Sequence, residues 1–304
     1  GAAALEEDLM VTFMGINLFA LLGQLLVGLI NGSFYALLAP GLAIIFGLLR
    51  IINFAQGALY MLGAFLAWLA LQHLGVNYWL ALILVPLTVG VIGMLMERFL
   101  VRPIAGQDHL YSLLLTFGIA LILQGVFSHL FGSSGQSYPV PEALKGGYNL
   151  GFMYLPVYRA WIILVSLLVC AASWWVIEKT RLGAYLRAGT ENPALLQAFG
   201  VNVPMMITLT FGFGVGLAGL AGVLAAPVYS VSPDMGANIL IVVFAIVVIG
   251  GMGSIGGAIL TGLMMGIIEG LTKYFYPEAS TTVIFMVMVL VLLVKPSGLF
   301  GKEA

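Results

Sequence analysis

The 304-residue chain is 62% hydrophobic and only 8% charged, with a formal net charge of −1 and a single cysteine. A mean hydropathy of +1.13 excludes a soluble globular domain, whose surface would need far more charge. The lone Cys170 excludes an internal disulfide and reads as a small buried hydrophobe; no nucleic-acid partner and no metal site are expected.

Residues 1–10 are set aside as an appended or disordered N-terminus. Beyond them, apolar runs of about 18 to 22 residues recur to the end of the chain, each long enough to cross roughly 30 Å of hydrocarbon as a helix. Continuous runs interrupted by glycine exclude the weak alternation of a barrel. The fold class is therefore all-α, a polytopic membrane helix bundle within a single domain over 11–300. The expected spans are 32–50, 57–73, 79–97, 110–131, 158–177, 204–226, 238–252, 256–273 and 281–295, nine in all, with a range of eight to ten. Residues 11–30 carry Gln24 and flanking asparagines, and read as a tenth span or a helix lying in the interface.

Alternation from a cytoplasmic residue 50 places Arg50, Arg98, Arg102, Lys179, Arg181, Arg187, Lys295 and Lys302 inside, and Lys145, Arg159 and Lys273 outside. The C-terminus and the polar loop 178–203 are then cytoplasmic. The long connection 132–157 faces the other way.

Helix packing is signalled by glycine. Gly262, Gly266 and Gly270 form two consecutive GxxxG steps, Gly212 and Gly216 a third, and Gly28 and Gly32 another. They predict close helix contacts, within the subunit or across a dimer. GGMGSIGGAIL at 250–260 has no lysine to reach a phosphate and reads as a tight turn, so the chain cannot hydrolyse ATP alone. His73, His109 and His129 lie far apart near span ends. Glu97 sits beside Arg98 at a span end, and Glu269 reads as a carboxylate that snorkels or caps, with a role holding two helices in register as the alternative. Without a midplane carboxylate, the chain fits a neutral or zwitterionic solute moved by an external motor better than ion-coupled transport.

The segment 181–203 breaks the apolar pattern. Asn192 is a candidate N-cap and Pro193 a first helical residue. Gly200 suits the left-handed residue that ends the helix. Leu195 and Phe199 share one face, with Leu196 adjacent, on a helix too short to stand alone. It either lies under the bundle or docks on a soluble partner.

The blocks GSFYALLAPGLAIIFGLLRIINFAQGALYMLGAF (32–65), ERFLVRP (97–103), RAGTENPALLQAFGVN (187–202), GLAGLAGVL (216–224) and IGGMGSIGGAILTGLMMGIIEGL (249–271), in that order, resemble the permease subunit of branched-chain amino-acid ABC importers, the shorter of two homologous permeases. Pro40 stands where that family usually has a plain apolar residue, and Gln56 where it commonly has histidine. Urea permeases share much of the pattern. The resemblance implies a bacterial inner-membrane system of this permease, a homologous second permease, two cytoplasmic ATPases carrying ATP and Mg, and a periplasmic binding protein. It implies no cofactor and no enzymatic activity in this chain. It also implies that Arg187, Glu191, Ala194, Gly200 and Asn202 belong to a coupling loop seated on the ATPase, with Asn192, Leu195, Leu196 and Phe199 between them. Ser33, Tyr35, Asn53 and Gln56, polar groups on the first long helix and its break at 52–57, are the expected translocation path. Asn53 and Gln56 also read as caps at the cytoplasmic interface, and a stand-alone facilitator for a small neutral solute is the alternative from a different class.

Overall fold

A computed structural model of the chain describes residues 12–13, 16–49, 51–104, 106–151 and 153–301. The N-terminal segment 1–10, Arg50 and Lys302 lie outside the described residues. Among the described residues, seven helices are long and apolar enough to cross a membrane, and two shorter apolar helices accompany them. In chain order they are α1 (Leu18–Ala43), α2 (Ala55–Leu74), α3 (Tyr78–Met96), α4 (His109–Phe131) and α5 (Val157–Lys179). A polar pair follows, α6 (Arg181–Glu191) and α7 (Pro193–Ala198). The bundle is completed by α8 (Val203–Ala225), α9 (Met235–Gly250), α10 (Ile255–Phe275) and α11 (Val283–Val294). Successive spans alternate in direction, which leaves α6 and α7 at one end of the bundle, here the α7 face.

The expected division between 11–30 and 32–50 is corrected. Residues 18–43 form one helix that continues through a π turn at Ile44–Leu48, so there is neither a tenth span nor an interfacial helix there. Hydropathy dips at Asn31, but Asn31 has partners: its side chain bonds Glu269 and accepts from Tyr229. Smaller shifts follow the caps. Asn77, Asp108, Asn202 and Ser254 each accept a backbone N–H of the first turn of α3, α4, α8 and α10.

Lipid is as apolar as leucine, so helices gain nothing from hydrophobic burial against each other and rely on close packing. α1 packs against α10 backbone to backbone. A Cβ at Gly266 would lie 2.3 Å from Gly32 Cα and 2.4 Å from the Gly28 carbonyl. One at Gly262 would meet Ala36, and one at Gly270 the Gln24 carbonyl. The 262/266/270 ladder thus works inside the subunit. Gly212 and Gly216 receive α3 at Gly90, Met94 and Pro86. Gly41 of α1 and Gly63 of α2 abut Gly214 and Gly219 of α8. The core sits among α1, α2, α8 and α9, around Phe34, Leu59, Phe65 and Phe211, all buried. α3 and α4 turn rows of leucine and isoleucine outward.

Pro40 and Cys170 explain each other. Proline inside α1 has no N–H to offer the carbonyl of Ala36, four residues back. The Cys170 thiol from α5 donates to that carbonyl at 3.0 Å.

Replacing Gly266 with Ala should cost about 1–3 kcal/mol, because backbone on both sides cannot yield. Gly118→Ala, where a Cβ meets nothing within 4 Å, should leave stability unchanged or slightly raised. Denaturant titration of the purified protein, followed by far-UV circular dichroism, compares the two.

Candidate functional site: a membrane-depth break, an outer cavity and an exposed peg

Between α1 and α2 the chain re-enters the bundle. Gln56, in the first turn of α2, donates to the Gly214 carbonyl at 3.0 Å. Gly214 lies roughly 16 Å along α8 from Val203, at about 1.5 Å per residue. Residues 51–54 therefore climb from the α7 face to mid-depth, and α2 starts there. Asn53 accepts from the Ala55 N–H at 3.1 Å and donates to Gln56 Oε1 at 3.3 Å. Thr116 of α4 accepts the Phe54 N–H at 3.0 Å, with the Ile52 carbonyl 3.1 Å away. Both Asn53 and Gln56 are 2% exposed. They are not caps at a water interface; they hold a helix break together inside the bundle, where an unpaired amide would be costly.

Among the described cavities, Tyr35 of the four expected path residues lines one. Ser33 is fully buried and donates back to the Leu29 carbonyl. Tyr35 lines a cavity of about 330 Å³ at the end of the bundle opposite α7. Asn31 and Phe34 of α1, Tyr60 of α2, and Tyr229 and Asn238 also line it. Tyr35 donates to Glu269 Oε2 at 2.8 Å, Asn31 donates to Oε1 at 3.4 Å, and Lys273 lies 3.3 Å from Oε1. Glu269 therefore does not snorkel. It is 6% exposed, held by groups from two helices. Asn31, Tyr60, Tyr229 and Asn238 were not expected from sequence. The signal available was the polar pair Asn31 and Glu269 inside two glycine-laddered helices.

The loops at this end are ordered. Gly147–Asn149 pairs antiparallel with Tyr154–Pro156, and Gln136 exchanges backbone hydrogen bonds with Val231. Burial there pushes the Tyr138 phenol up to about 12.

On the α7 face, Asn192 accepts the Leu195 N–H at 3.0 Å, Pro193 opens α7, and Gly200 takes φ +82° beyond it. α7 ends at Ala198, two residues before Gly200. Leu195 and Phe199 are 55% and 77% exposed, whereas Leu196 is 8% exposed and packs beneath. Ala194, Gly200 and Asn202 lie along this exposed segment. The side chain of Glu191 lies outside the described residues. Arg187 donates to the Ile177 carbonyl at 3.2 Å and pairs with Glu178 at 3.5 Å.

Apolar packing also joins this segment to the bundle. Leu186 of α6 is 2% exposed and forms a small separate cluster with Ile44, Ile177 and Ile255. Ile44 opens the π turn that leads into the re-entrant break. Beside it, an ionic contact joins α3 to α8. Glu97 pairs not with its neighbour Arg98 but with Arg102, which forks onto both carboxylate oxygens at 3.1 and 2.8 Å. Arg102 also bonds the Pro204 carbonyl at 2.9 Å and Thr208. The end of α3 is thereby clamped to the first turn of α8, just beyond α7.

Residues 24–293 match the family model described as the branched-chain amino acid transport system / permease component. This chain belongs to that family. The high-affinity branched-chain amino acid transport system permease protein BraD of Pseudomonas aeruginosa is 31% identical over 94% of this chain and 97% of its own length. The corresponding protein LivH of Escherichia coli K12 is 31% identical, covering 92% and 96%. LivM of the same organism, the longer permease, is 30% identical over 87% of this chain and 67% of its own. No solved structure gives a significant match. The likeness to BraD and LivH over their whole length makes this chain the shorter type of permease, a multi-pass membrane protein.

Leu186→Ala should lower stability by about 2–5 kcal/mol if the cavity stays open. Because Leu186 packs with Ile44, the same change should also speed hydrogen exchange of backbone amides 51–54, read by mass spectrometry, while the α1–α10 contact stays protected.

Proposed function

We propose that this chain is one of two permeases in an ATP-driven importer of branched-chain amino acids in a bacterial inner membrane, with the α7 face in the cytoplasm. The observation that carries the reading is the exposed pair Leu195 and Phe199 on a six-residue helix. So short a helix is not stable in water alone. Here a cap and the buried Leu196 fix it, and an apolar ridge is left for a partner. Two ATPases, carrying ATP and Mg, would grip this ridge and its counterpart on the second permease. The LivH and LivM pair favours a paralogue over a second copy of this chain. Orientation is supported by Arg98, Arg102, Lys179, Arg181, Arg187 and Lys295 at the α7 end, against Lys145, Arg159 and Lys273 at the other. Residues 295–301 return to the α7 end, where Leu299 donates to the Ile249 carbonyl at 2.8 Å.

In this reading a loaded binding protein docks over the ordered loops beside the cavity. ATP-driven closure pulls α7. The Leu186 cluster and the Arg102 clamp carry that displacement into α1, α3 and α8, and the permeases alternate between outward and inward access. No ionisable group needs to cross the membrane with the solute.

The test is ATP-dependent leucine uptake into proteoliposomes holding the co-purified complex. Leu195→Glu/Phe199→Glu should abolish uptake and release the ATPases, while the permease stays folded. Undiminished uptake in the double variant, or uptake by this chain without any ATPase, would overturn the proposal; the second outcome would make it a facilitator.

A further inference from the structure

At the end opposite α7, α5 and α8 touch: the Tyr158 hydroxyl donates to the Leu224 carbonyl at 2.9 Å. Toward the α7 face they part, and an apolar groove of about 380 Å³ opens between them, with α6 as its third wall. Ile177 and Leu186 form its buried side, and Leu182, Met205, Leu209 and Phe213 its exposed side. Met205, Leu209 and Phe213 recur every four residues along one face of α8. The stripe stops there: from Gly214 to Ala225 every residue of α8 is buried or half-buried. The rise from Val203 to Phe213 is roughly 15 Å, half of a hydrocarbon core of roughly 30 Å. The groove is one leaflet deep. A partner's transmembrane helix would need contact along a whole span, as the outward rows of α3 and α4 offer; a lipid acyl chain needs a single leaflet.

The open end of the groove is positive. Arg181 starts α6 and is exposed, and its guanidinium has no ion pair among the described residues. One turn on, Tyr185 lines the groove. Glu178 is taken by Arg187 at 3.5 Å, and Lys179 lies over the Trp174 ring at 5.5 Å. We propose that this groove seats an anionic phospholipid, its phosphate against Arg181 and one acyl chain along Met205, Leu209 and Phe213. Guanidinium and phosphate form a charge-assisted pair, and basic residues at a membrane surface draw acidic lipids. Only the choice of leaflet, the cytoplasmic one, rests on the transport reading above.

Native mass spectrometry of the delipidated protein with its co-purified partners, titrated with phosphatidylglycerol or phosphatidylcholine of identical chains, reads the first lipid bound. The wild type should take phosphatidylglycerol roughly fivefold more tightly. Arg181→Gln, at an exposed position, should bring the two lipids within roughly twofold, and Arg181→Lys should keep most of the preference. Leu209→Trp fills the groove and should weaken both. Arg98→Gln, which removes a cation at the same end that stacks on Phe99, should leave the ratio unchanged. Equal binding of the two lipids by the wild type, a preference that survives Arg181→Gln or is lost equally in Arg98→Gln, or undiminished binding in Leu209→Trp overturns the site. So does release of a co-purified permease by Leu209→Trp, because protein rather than lipid then covers the groove. None of these readouts uses uptake, so a failure of ATP-dependent transport strikes the transport reading and leaves the lipid site standing.

Discussion

Everything in this bundle depends on how closely α1 approaches its neighbours. In hydrocarbon no solvent pushes helices together, and dispersion falls off within an ångström of optimal contact. α1 meets α10 and α8 where facing residues are glycine, so that main chain rests on main chain. That proximity lets side chains on adjacent helices reach one another: Tyr35 and Asn31 to Glu269 at one end, Ile44 to Ile255 at the other. A single methyl in the seam would separate both groups. The outer cavity and the inner apolar cluster are thus two consequences of one packing constraint.

The same closeness decides the fate of polar groups at membrane depth. An unsatisfied amide in hydrocarbon costs several kcal/mol, and the groups at the breaks are answered by neighbouring helices or by their own segment. Pro40 frees a carbonyl and Cys170 takes it. The chain leaves helical geometry after Leu48, and Thr116, Asn53 and Gln56 tie the break to α4 and α8. Glu269 is enclosed by hydroxyl, amide and ammonium. The chain leaves regular helix at this depth, and Leu186 packs the α6 segment against Ile44, where the π turn before the break begins.

Much of this was legible in the residues. Apolar run length marked the spans, the glycine ladder marked the tightest contact, and Asn192, Pro193 and Gly200 marked α7. The rest depended on partners distant in sequence. Asn31 lowers hydropathy enough to suggest a boundary, and only the groups across the seam show why a helix can carry it through. Glu269 reads as a snorkelling carboxylate because its neighbours along the chain are apolar; its partners Tyr35 and Asn31 lie more than 230 residues away. The re-entrant stretch is as apolar as a span, so hydropathy cannot distinguish a crossing from a return. Glu97 illustrates the same limit: adjacency suggests Arg98, while the helical turn delivers Arg102.

The central claim is that the ridge of Leu195 and Phe199 faces the cytoplasm and is covered by the motor. A cysteine at position 199, in a Cys170→Ser background, tests it in oriented vesicles with a membrane-impermeant maleimide. The account predicts labelling in inside-out vesicles stripped of ATPase, protection when the ATPases are restored, and none in right-side-out vesicles. Labelling from the periplasmic side, or labelling unaffected by the bound ATPases, would contradict it.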